Sequence, residues 1–239
     1  MRSLKFQKGD EIIVPNHAYQ ACRNTIDYVA EKWGVVVKTC EIPFPIKGNQ
    51  IIIENIMKCV TKNTKLALID TVTSPTGLLM PFEELVESLE SKGVNVLLDA
   101  AHGIGMLPLD IEKIGASYTT SNCHKWLCAP KGSAFLHVRK DLQNLIHPLT
   151  ISHGMTTPLG NSTRFRHEFD WTGTRDVSAW CVLPFVIENL TKLVGMNWSE
   201  IITHNRNLAI RGRKIICKKF FSFSLNMKYP YKLYQQHFC

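Results

Sequence analysis

The chain has 239 residues, 45% of them hydrophobic, and a formal net charge of +8. That is enough apolar material for one large domain with a true core, while the longest apolar runs, VNVLL and LALI, fall far short of the ~20 residues that span a bilayer. Lys and Arg are scattered, and the one dense run, RNLAIRGRKIICKK, comes without a nucleic-acid motif, so neither a membrane nor a nucleic-acid partner is expected.

The opening residues, MRSLKFQKGDEII, lack the apolar centre of a secretory signal, and a soluble, cytoplasmic protein is expected. The eight cysteines form no C-x-x-C pair, and no histidine cluster stands at zinc spacing. Reduced thiols and no metal are the expectation.

In chain order, DEIIVP predicts a strand and residues 18–33 an amphipathic helix that Gly34 ends. VVVKTCEIPF reads as a strand, IIIENIMKCV as a helix and TKLALIDTV as a strongly apolar strand. FEELVESLESKG predicts a helix, with Pro81 ahead of it, acidic residues in its first turn and Gly93 at its end. VNVLLD is a further buried strand, LDIEKIGA a short helix, and SYTTSN and GSAFLHVRK two more strands. Residues 150–176 read as an irregular loop. A long helical stretch follows from about Val177 to Ile216, and the final segment has no clear period. The alternation of strands and helices predicts an α/β fold, a mostly parallel sheet flanked by helices on both faces. In such sheets ligands sit beyond the carboxyl ends of the strands, at a topological switch point.

Two strand ends carry unusual groups. VNVLL ends at Asp99, followed by Ala-Ala-His102. SYTTSN ends just before His124 and Lys125. If the two strands run parallel in one sheet, these four residues converge on one crevice. Taken singly, such an Asp is commonly a cap, such a His a packing residue, and a Lys beside a Trp a surface charge with its stem along the ring. Together they suit an aldehyde cofactor with a basic ring nitrogen. The lysine would form a Schiff base with the aldehyde, and the carboxylate would pair with the protonated pyridine nitrogen.

DAAHGIG, the 26-residue step from Asp99 to Lys125, and SNCHKWL together resemble the class V aminotransferase family of pyridoxal-phosphate enzymes. HKWLCAPKG, with DTVTSPTGLLMP upstream and FDWTGTRD downstream, resembles the isopenicillin N epimerase-like branch. The resemblance covers about Lys8 to about Ile216. It implies pyridoxal 5'-phosphate as cofactor, the family's large domain as the fold, and a homodimer acting on a small amino-acid substrate. Lys125 then matches the Schiff-base lysine that also shuttles the α-proton. Asp99 matches the partner of the pyridine nitrogen, and His102 the residue near the phenolic oxygen. His124, with Asn122 before it, matches a phosphate contact, and Ser74 a polar group facing the cofactor. Gly173 and Thr174 match the segment that reaches the phosphate of the neighbouring subunit. For the ring that stacks on the cofactor, NHAY offers His17 and Tyr19, with Tyr19 preferred. Trp126 is expected to limit water at the site, and His124 to act as the cationic neighbour of Lys125.

The family pattern also includes a phosphate-binding segment ahead of the residues matched here, and a small C-terminal domain with a carboxylate-gripping arginine. Truncation at both ends is therefore expected. Residues 1–185 would form a partial large domain, 186–216 a connecting helix and 217–239 a tail outside the family pattern. The implied function is chemistry on an amino acid or a sulfur-containing derivative, of epimerase or C–S lyase type. Desulfuration fits less well, because it needs a cysteine on a mobile C-terminal loop. The alternatives are a non-catalytic remnant of such an enzyme and a basic nucleic-acid-binding protein.

Overall fold

The computed structural model describes residues 1–221. Six strands form one sheet in the order β2-β1-β3-β4-β5-β6. They are β1 (Glu11–Pro15), β2 (Val36–Cys40), β3 (Thr64–Asp70), β4 (Asn95–Asp99), β5 (Tyr118–Asn122) and β6 (Ala134–Val138). The first five run parallel, and β6 pairs antiparallel with β5. The intervening helices are α1 (Gln20–Trp33), α2 (Asn49–Lys58), α3 (Phe82–Glu90) and α4 (Ile111–Ile114).

Side chains alternate between the two faces of a strand, and both faces here are covered. Ile13, Ala67, Ile69, Val96 and Leu98 pack with Ile52 and Ile56 of α2 and Leu85 and Leu89 of α3. Ile12, Val14, Leu66, Leu68 and Tyr118 pack with Ile26 and Val29 of α1 on the other side. Double coverage explains why β3 and β4 read as continuous apolar runs rather than alternating ones. Glu90, at the end of α3, ties this layer to the sheet. Its Oε1 accepts from the backbone of Val96 and Ser117 at 3.0 and 2.8 Å and from Ser117 Oγ at 2.6 Å, and Arg139 reaches its Oε2 at 2.9 Å.

Two expectations need correction. Residues 150–176 contain a 3-10 turn at His153–Met155 and a helix, α5 (Arg164–Asp170). Thr163 Oγ1 caps α5 by accepting the Arg166 N–H at 3.2 Å. Phe165 and Phe169, one turn apart, stack with ring centroids 4.6 Å apart and pack into the α1-side core. Cap and aromatic pair together outweigh the Thr/Gly-rich composition before them.

The expected continuous helix from 177 to 216 is in fact three: α6 (Ser178–Cys181), α7 (Leu183–Val194) and α8 (Trp198–Phe221). Gly195 adopts φ 67°, the left-handed conformation that closes a helix at little cost only for glycine. Asn197 and Glu200 then start α8 with a reciprocal capping pair, each side chain accepting the other's backbone N–H, at 3.0 and 2.8 Å. Helix α8 also passes through the boundary expected at 216–217. The rest of the expected tail, 222–239, lies outside the described residues. Among the described residues no helix is long and apolar enough to cross a membrane, and no group of His, Cys, Asp and Glu could hold a metal ion.

Candidate active site

The chain leaves β1 toward β2 on one side and crosses to β3, β4 and β5 on the other, so the strand order reverses at β1. A cavity of about 200 Å³ opens at the carboxyl ends of these strands, where such a switch point leaves a crevice. Tyr19 reaches it from the segment after β1, Ser74 from the turn after β3, Asp99 and His102 from the end of β4, and Asn122 and Lys125 from the end of β5. The parallel register of β4 against β5 sets Asp99 beside Thr120. The two groups that lie 26 positions apart in sequence are thereby brought to one rim.

Asp99 is almost fully buried. Its Oδ1 accepts the Ala101 N–H at 2.9 Å and its Oδ2 accepts the Cys22 thiol at 3.5 Å. Burial first, and Asp99 second, push the Cys22 thiol up to about 12, so Cys22 keeps its proton and remains a donor. Lys125 Nζ lies 3.4 Å from His102 Nε2. His102 Nδ1 accepts the indole N–H of Trp126 at 3.0 Å. Burial first, then the charge of Lys125, lower the His102 pKa, against an opposing pull from Asp99.

Other expected site residues stand elsewhere. His17 is buried, with Nδ1 at 2.8 Å from Thr76 Oγ1 and Nε2 at 3.0 Å from the Ile42 carbonyl. It braces the turn after β3, while half-exposed Tyr19 lines the cavity. His124 turns its Nδ1 to the Ser133 carbonyl at 2.9 Å and does not line the cavity. The imidazole beside Lys125 is therefore His102, not its sequence neighbour, because successive residues at a strand end diverge. Trp126 is 43% exposed, donates its indole N–H to His102 and does not line the cavity. Gly173 and Thr174 do not line the cavity.

Five lining residues escape the sequence reading: Cys22, Asp70, Ala101, Thr120 and Ser121. Asp70 carries the clearest missed signal. It ends an apolar strand just as Asp99 does, and the sheet register pairs the two directly. It is 3% exposed, and its Oδ2 has no hydrogen-bond partner. Burial first, then Asp99, raise its carboxyl well above the ordinary carboxylate range. The site thus holds one acid whose burial disfavours its charged form beside one that accepts two hydrogen bonds. Cys22 gives no comparable signal, since nothing in sequence distinguishes it from a packing residue in the first turn of α1.

The chain is similar to known proteins in sequence and in fold. The L-cysteine desulfhydrase of Arabidopsis thaliana is 34% identical over 216 residues, covering 87% of this chain and 46% of that protein. Isopenicillin N epimerase of Amycolatopsis lactamdurans is 30% identical over 190 residues, covering 75% and 48%. The chain thus spans about half the length of these relatives. In three dimensions it is similar to the apo cysteine desulfurase of Thermococcus onnurineus NA1, with a TM-score of 0.76 at 21% identity, covering 87% of this chain and 51% of that one. The family described as aminotransferase class-V matches residues 1–218, and the chain belongs to that family.

Proposed function

We propose that this chain carries the lysine-bearing half of a pyridoxal-phosphate site that acts on an amino acid or a sulfur-containing derivative, with a C–S lyase or epimerase outcome. The observation that carries this reading is the convergence of Lys125, His102 and Asp99 on one cavity at the strand ends. The donor set suits the cofactor. Asp99 offers a buried carboxylate oxygen whose present partner is only a thiol at 3.5 Å, ready for a pyridinium N–H. Lys125 offers a primary amine for the aldehyde, and Tyr19 an aromatic ring at the rim. Asn122, which lines the cavity, would face the phosphate, and Gly173 and Thr174 would serve a partner subunit's site.

When bound, the cofactor supplies an electron sink that acidifies the α-carbon of an attached amino acid. The protein's own groups then decide the outcome. Lys125 Nζ would take the α-proton. Returning it to the opposite face gives epimerisation, whereas departure of a sulfur substituent from the β-carbon gives lyase chemistry. Asp99 would hold the protonated pyridine nitrogen, beside an Asp70 whose buried carboxyl disfavours a second negative charge. Desulfhydrase and epimerase relatives on either side of this choice support both outcomes.

The test is covalent capture. The purified chain, mixed with excess pyridoxal phosphate and reduced with borohydride, is expected to carry the pyridoxyl mass on the peptide containing Lys125, after a visible absorbance band develops. Label spread evenly over surface lysines, or none on Lys125, would overturn the reading.

A further inference from the structure

Next to the lysine lies a short relay whose hydrogen-bond chemistry is over-determined. Indole nitrogen is a donor only. The 3.0 Å contact from Trp126 Nε1 therefore makes His102 Nδ1 an acceptor, without a proton. A neutral imidazole carries one proton, which must then sit on Nε2, the nitrogen 3.4 Å from Lys125 Nζ. The chain runs from Trp126 N–H to His102 Nδ1, and from His102 Nε2 toward Lys125 Nζ.

A second feature holds the relay together. Gly105, three residues after His102, lies so close to the backbone of the next loop that a Cβ would stand 2.5 Å from the Trp126 carbonyl oxygen and 2.8 Å from Leu127 N. Its φ of +79° adds to the demand for glycine. Ile104 packs with Leu127, Cys123 and Ala129 in a small core of its own. These contacts clamp the loop after β4 onto the loop after β5, which fixes the indole against the imidazole.

We infer that Trp126 is a positioning residue that locks His102 in the Nε2–H tautomer, so that His102 presents its Nε2–H to the Lys125 nitrogen at the cavity. The inference rests on the proposed role of Lys125 as the amine that takes the aldehyde. It assigns work to a residue that never lines the cavity itself. The charged groups facing the imidazole are Lys125 and Asp99, and Asp70 and Cys22 share the cavity.

Nitrogen-15 NMR of histidine-labelled, cofactor-free protein tests it, with the His102 signals assigned by their loss in His102→Gln. The wild type is expected to show the Nε2–H tautomer at neutral pH. Trp126→Phe removes the donor and keeps a ring. It should reduce the preference for that tautomer by roughly three- to tenfold, the worth of one neutral hydrogen bond. It should also raise the pH at which His102 takes a second proton by up to about one unit, because the lost bond stabilises only the unprotonated Nδ1. An Nδ1–H tautomer in the wild type overturns the inference without any variant. So does a folded Trp126→Phe protein with unchanged tautomer and midpoint. Both readings are made without cofactor, so they stand apart from the capture experiment on Lys125.

Discussion

Helix α3 buries Phe82, Leu85, Val86 and Leu89 against the sheet. Helix α7 is longer and also carries an apolar stripe, yet buries none of its residues fully, and Phe185 and Leu193 stand 65% and 83% exposed. The two regions share helix-forming sequence but differ in what lies opposite. In the sheet region every long helix has an apolar strand face to cover. After residue 177, the described residues offer only a small cluster in which Leu183, Val186 and Trp198 meet Leu127 and Ala129. Amphipathicity makes a helix, but burial requires a partner. The cavity is lined entirely from the first region, by residues 19–125.

That contrast can be broken or sharpened by substitution. The largest effect belongs to the site. Lys125→Ala should abolish borohydride-dependent labelling of its peptide while leaving the thermal transition nearly in place, as read by mass spectrometry and circular dichroism. Next comes the core. Leu98→Ala should cost about 2–5 kcal/mol in denaturant unfolding, whereas Leu193→Ala in α7 should stay within about 0.5 kcal/mol. A large loss at Leu193 would show that the second region is packed as firmly as the first. Glu90→Ala should fall between them, at about 1–3 kcal/mol, because it strands the Ser117 and Val96 donors that Glu90 satisfies.

The subtlest effect concerns Asp70. Its folded-state pKa is raised, so the folded protein binds the proton more tightly than the unfolded chain. This group therefore favours folding in acid, and that contribution is lost as pH rises from the ordinary aspartate value of about 4 toward the raised one. Asp70→Asn should remove this slope. Melting temperatures of variant and wild type should converge in acid, and the variant should gain relative to the wild type as pH rises. A difference independent of pH would contradict a neutral Asp70.

Much of this molecule was legible in the chain. The apolar runs of β3 and β4 announced strands covered on both faces, and the Asp99-to-Lys125 spacing announced two strand ends meeting at one rim. Missing from that reading was everything decided by direction. His124 and His102 look equivalent as letters, yet the backbone at the end of β5 sends His124 to Ser133 and leaves Lys125 to meet His102. Asp70 looks like the end of a strand until the register sets it beside Asp99 and burial raises its pKa. Sequence by itself determined the periodicities, the capping residues and the residue types needed for the chemistry, because these are local properties of the chain. Only the tertiary structure decided which imidazole faces the lysine, which acid has its pKa raised and which helices find cover, because each depends on atoms that are distant in sequence and adjacent in space.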